Sequence, residues 1–78
     1  MAMHYFHMVD GQTTFDSVGT DLPDLQSVRK EALRAGREML NLGGGSEQFW
    51  AGEPWRIWVT DEPDGSGQTI LTIELTAR

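Results

Sequence analysis

Cysteine is absent from the chain, so neither a disulfide framework nor a thiolate metal site is available to it. Long apolar runs are absent too, and no window approaches the ~18 consecutive apolar residues of a membrane-spanning helix. Met1 to Val9 has no basic n-region and no apolar core, so no signal peptide is expected and the expected location is cytoplasmic. Basic residues are few, six against twelve acidic ones, for a net charge of −6 and a pI near 4.6. An acidic surface repels phosphate, which argues against direct binding to nucleic acid or to an anionic membrane. Length is also short. The 78 residues are expected to form one domain, 1–78, and a chain of this size buries only about 60–65% of its unfolded surface. With no covalent staple, oligomerisation is a reasonable route to further burial.

What the chain does have is one strongly periodic stretch, Asp21 to Leu42. Leu22, Leu25, Val28, Ala32, Ala35, Met39 and Leu42 recur at helical steps, widened by Leu33, Gly36 and Leu40. Lys30, Glu31, Arg34, Arg37 and Glu38 take the opposite face, as a solvated helix surface does. Asp21 is the expected N-cap, with Pro23 in the first turn, Asp24 three residues on, and Gly43-Gly44-Gly45 as the stop. Gly36 in mid-helix costs about 1 kcal/mol relative to alanine, and close packing on a sheet is the expected reason. Arg29 falls inside the apolar stripe. Either its stem covers core while the guanidinium reaches water, or it pairs with Asp16 or Asp61.

Strands flank this helix. Met3 to Val9 has strand character, Asp10-Gly11 is a hairpin turn, and Thr13 to Phe15 returns. Asp16 to Thr20 is expected to turn toward the helix. Trp55 to Thr60 and Gln68 to Thr76 alternate as strands around the turn at Asp61 to Gly67. The order β-β-α-β-β predicts an α+β domain: a four-stranded antiparallel sheet with one helix on one face. The expected core is Phe6, Met8, Phe15, Leu25, Val28, Ala32, Met39, Leu40, Ile57, Val59, Leu71 and Ile73. Phe49 and Trp50 lie in a glycine-rich, mobile stretch. They are expected either to fold back as a lid over the core or to stand partly exposed as anchors for a partner. One helix cannot cover both faces of a sheet. The uncovered face carries Tyr5, His7, Arg56, Trp58, Thr60, Thr72 and Glu74, a mixture of aromatic and polar groups like that of protein interfaces.

Signs of chemistry are weak. His4 and His7 point to opposite faces of one strand and cannot share an ion. His7 with a carboxylate such as Glu74 could move protons if the two were adjacent. The acidic turn Asp61, Glu62, Asp64 lacks the spacing of a calcium loop. Gly43 to Ser46 superficially suggests a phosphate loop but follows a helix and lacks the lysine. No serine has a nucleophile-elbow context and no glycine fingerprint follows a strand. No cofactor and no metal are expected, and no catalysis.

Tyr5-Phe6-His7 with Asp10-Gly11, Leu22-Pro23-Asp24-Leu25 before Glu31-Ala32-Leu33, and Trp55-Arg56-Ile57 with Val59-Thr60-Asp61-Glu62 follow one another in order. Over nearly the whole chain this resembles a group of small bacterial proteins known as a domain of unknown function. They open Y-F-H-x-x-D-G, carry L-P-D-L before an E-A-L helix, and end W-R-I-x-V-x-D-E-x-G. This chain departs by inserting the Gly43–Gly52 stretch and a longer turn around Pro63-Asp64. The resemblance implies a fold and brings no activity. The hairpin, L-P-D-L and E-A-L are also similar to the N-terminal domain of HicB-type antitoxins, which bind a basic toxin and dimerise. This chain shows neither the third strand those domains place before the helix nor a DNA-binding segment.

The expectation is a non-enzymatic module that self-associates as a homodimer, or binds another protein, through the uncovered face. Trp58, Tyr5 and His7 stand at its centre, with Arg56 and Glu74 at the rim. The alternatives are an antitoxin-like acidic binder of a basic partner, and a small hydrolase or metal-dependent enzyme.

Overall fold

The computed structural model describes residues 2–43 and 47–77. Its strands are β1 (Ala2–Val9), β2 (Thr13–Thr14), β3 (Thr20–Leu22), β4 (Trp55–Thr60) and β5 (Thr69–Leu75). The helices are α1 (Leu25–Gly43) and a single turn, α2 (Glu47–Trp50). All pairings are antiparallel in the order β2-β1-β4-β5, with β3 also on β1. The α+β class stands, with five strands where the pattern predicts four. The added strand is β3, read from sequence as the turn and cap before the helix. Three residues with no apolar alternation leave no strand signature, and the pairing of Ala2, Met3 and His4 with Leu22, Asp21 and Thr20 makes the strand.

Asp21 therefore lies in β3, and the helix cap is Asp24. Its Oδ1 accepts the Ser27 N–H at 2.8 Å, satisfying a first-turn donor that has no partner inside the helix. The Ser27 backbone and side chain together hold the Asp24 carboxyl below its usual range. The glycine run read as the stop lies outside the described residues from 44 to 46, and so does the rest of the phosphate-loop motif.

The core lies between α1 and β4. Val28, Ala32 and Met39 face Ile57, Val59 and Trp55, all buried. Gly36 is buried against Ile57, whose Cδ1 lies 3.4 Å from where a Cβ would stand, so the expected packing on the sheet is present but leaves room for a methyl. Leu25 and Leu40, expected in the core, sit high on the helix flank and are exposed. Leu71 and Ile73 are half-buried because β5 is an edge strand. Arg29 is exposed and has no ion-pair partner among the described residues. The carboxylates proposed for it accept backbone N–H groups instead, Asp16 from three residues and Asp61 from Gln68.

α2 divides the aromatic pair. Phe49 turns inward onto Trp55, with ring centroids 4.5 Å apart, and joins the cluster of Met39, Trp55 and Ile57. Trp50 is 66% exposed. Phe49 thus folds back onto the core as the lid expectation has it, and Trp50 is open to solvent.

Candidate interaction face

The register stacks the outer sheet face in rows. Tyr5 pairs with Thr60; His7 pairs with Trp58, which pairs in turn with Thr72; and Val9 pairs with Arg56, which pairs in turn with Glu74. The five site residues read from sequence, Tyr5, His7, Arg56, Trp58 and Glu74, therefore share the face opposite α1. They are not equally open. Arg56 and Glu74 are exposed, Tyr5 and Trp58 half-buried, and His7 is 0% exposed.

His7 is covered because of how the chain leaves the sheet. β2 pairs with the end of β1 and β3 with its beginning, so residues 15–19 must run back along β1, and they arch over its outer face. Phe15, expected in the helix-side core, lies in this arch instead. Its ring meets His7 edge-on at 5.7 Å and Trp58 at 5.9 Å, and Phe15 remains 51% exposed. His7 also contacts Trp58 at 5.0 Å. The turn Pro63–Gly65 closes the other side. Gly65, at φ +80°, lies so near Phe15 that a Cβ would stand 2.8 Å from the ring.

Asp16 holds the arch. Between β2 and β3 the edge of β1 has no strand partner, and an N–H there must find another acceptor. The Asp16 carboxylate accepts Phe6 N–H at 3.1 Å, Val18 N–H at 2.9 Å and Gly19 N–H at 3.0 Å. Its carbonyl accepts Asp64 N–H at 3.1 Å, tying the turn to the arch. Its own N–H donates to His7 Nδ1 at 3.0 Å. With Nδ1 accepting, the ring proton is assigned to Nε2, which donates to Thr60 Oγ1 at 2.8 Å. The Thr60 hydroxyl in turn donates to the Glu62 carbonyl at 2.6 Å.

These contacts decide the charge states. Burial pushes the His7 pKa below its ordinary 6.5, against the attraction of the Asp16 and Asp64 carboxylates, so the ring stays neutral. Burial raises Asp16, but the Gly19, Phe6 and Val18 N–H groups, with His7, outweigh it and hold its carboxyl low. Both His7 nitrogens are occupied and no water reaches them. The ring is a pillar beneath the aromatic layer, and the pairing with Glu74 considered from sequence is not made.

What faces outward is a half-open stack. Phe15 stands against Trp58, and the Arg56 guanidinium lies 4.9 Å from the Trp58 ring centre, a cation–π contact. Val9, Pro54, Arg56 and Glu74 line a shallow hollow of about 180 Å³ beside it. Among the described residues no three histidine or acidic side chains are grouped to hold a metal ion, and no helix is long and apolar enough to cross a membrane.

The model of a domain of unknown function, DUF6894, matches residues 3–76. The chain belongs to this family. The match takes in both helices and every strand except the first residue of β1, so the arch, the His7 pillar and the aromatic stack all lie within the family's domain. No curated protein and no solved structure matches the chain.

Sequence reasoning missed Asp16 as the organiser of this face. The signal was there in Asp16-Ser17-Val18-Gly19, an aspartate followed three residues later by a glycine able to adopt positive φ (+80° here).

Proposed function

We propose that this DUF6894 domain is a non-enzymatic interaction module that forms a homodimer through the outer sheet face centred on Trp58. The observation that carries the reading is the stack of Phe15, Trp58 and Arg56, left half-open on a base locked by His7, Thr60 and Asp16. Aromatic and arginine side chains dominate binding energy at interfaces, and a preformed patch loses little entropy on docking. A small core with no staple gains burial by pairing. Arg56 and Glu74 sit at the rim, where two copies related by a two-fold axis can exchange charge contacts. The absence of cysteine accords with a cytoplasmic location.

The test is sedimentation equilibrium of the wild type, Arg56→Glu and Trp58→Ala, with far-ultraviolet circular dichroism to follow the fold. A wild-type dimer that both substitutions convert to folded monomer is expected. Arg56 is exposed, so its variant reports on association even if Trp58→Ala loosens the aromatic layer. A wild type that stays monomeric at every concentration, or a dimer indifferent to Arg56→Glu, would overturn the reading.

A second reading, an acidic binder of a basic partner, is favoured by β3. The third strand before the helix, missing from the sequence pattern in the antitoxin likeness, is present.

A further inference from the structure

On the other side of the sheet, α1 and β1 do not close against each other. A cleft of about 390 Å³ remains between them, with a floor of Phe6, Met8, Ala35 and Met39. Asp10, Asp16, Glu31 and Glu38 line it as well, against a single cation, Arg34. A second hollow, of about 420 Å³, shares the Asp10 wall and adds Glu53. The two hollows meet at Asp10 beside the β1–β2 turn, and each carries acidic side chains.

Arg34 is bound at the cleft by its own helix. Its guanidinium pairs with Glu31, one turn back, and with Glu38 at 3.2 Å, one turn on. All three side chains are at least partly exposed, and surface pairs of this kind hold weakly. Arg34 thus occupies the position that a stronger incoming cation would take.

We infer that this cleft is a docking groove for a basic, partly apolar segment of a partner protein. The segment's apolar side chain would enter against Phe6, Met8 and Met39, while its arginine or lysine takes the Glu31 and Glu38 carboxylates from Arg34. The volume sets the scale. It matches the pockets of about 300–1,000 Å³ that hold small ligands, room for a few side chains and not for a folded domain. Charge complementarity sets the chemistry, because an acidic or phosphorylated segment would meet four carboxylates. The groove lies on the helix side and shares only Asp16 with the support of the Trp58 face, and neither test substitutes Asp16, so the two readings fail independently.

Arg34 makes the inference testable by the sign of an effect. The isotopically labelled full chain would be titrated with the acetylated, amidated tetrapeptide Leu-Arg-Leu-Arg, amide shifts being followed by NMR, with Leu-Glu-Leu-Glu as control. Saturable shifts at Met8, Ala35 and Met39 with the basic peptide alone are expected. Glu31→Gln and Glu38→Gln should each weaken binding about threefold, the scale of one exposed charge contact. Arg34→Gln should strengthen it by a similar factor, since it removes the competitor. A merely structural role for Arg34 would not tighten binding when the residue is lost. Shifts spread without saturation over all acidic surfaces, no shifts at all, or weaker binding by Arg34→Gln would overturn the proposal.

Discussion

At the scale of single residues, Asp16 carries more of the outer face than any residue with an evident chemical role. Its carboxylate, carbonyl and N–H together join β1, the arch and the turn at Pro63–Gly65. Hydrogen bonds to a charged group are worth about 1.5–3 kcal/mol each, and leaving the Phe6 N–H without its acceptor adds to the loss, while the backbone N–H that serves His7 Nδ1 survives the substitution. Asp16→Ala should lower unfolding stability by about 3 kcal/mol in urea denaturation; a loss below about 0.5 kcal/mol, the scale of an ordinary surface change, would show the arch to be held otherwise. His7 adds a pH dependence. Its folded pKa lies below the ordinary 6.5, so below that pH the unfolded chain binds the proton more readily. Its contribution is therefore complete above about pH 6.5 and falls as the pH drops toward the folded value. Asp16 acts in the same direction lower down, its contribution present above about 3.8 and lost as pH falls through its depressed value. The urea midpoint should fall between pH 7 and pH 5.5, and a flat or rising midpoint would contradict a neutral buried His7.

Among the elements, α2 and α1 each pose a sharp comparison. Phe49 and Trp50 are adjacent and both aromatic, yet only Phe49 is buried, against Trp55. Truncating a buried phenylalanine costs about 3–5 kcal/mol, so Phe49→Ala should cut thermal stability severely. Trp50→Ala should cost less than half as much. Equal losses would mean that the helix turn, and not the inward ring, seals that end of the core. In α1, Gly36→Ala recovers up to about 1 kcal/mol of helix propensity. The new methyl would stand 3.4 Å from the flexible tip of Ile57, an ordinary contact, so a raised melting temperature is expected. A lowered one would mean that Ile57 cannot yield.

For the molecule as a whole, the sheet separates two surfaces of different character, and salt should tell them apart. The Trp58 face is aromatic with charges only at its rim, so association through it should persist at high ionic strength. The cleft between β1 and α1 is lined by carboxylates, so a basic peptide should leave it as salt rises. Sedimentation at low and high salt, alongside the peptide titration under the same conditions, checks both. A salt-sensitive dimer would move the association to the charged surfaces.

Periodicity alone determined much of this protein. The steps of three and four placed α1, and the two-residue alternation of β1, β4 and β5 placed Trp58, Arg56 and Glu74 on the face away from the helix, because these repeats are local properties of the backbone. The family likeness was legible for the same reason, as short motifs in a fixed order. Tertiary structure alone decided which of the outward residues meet water. His7 and Trp58 have the same alternation, yet His7 is sealed and Trp58 is not, because the path from β2 to β3 crosses over one and beside the other. β3 itself exists only through its pairing with β1, and the cap moved from Asp21 to Asp24 once that pairing claimed residues 20–22. A strand so short has no signature of its own. Its hydrogen bonds are to residues about 18 positions away, and no local pattern encodes them.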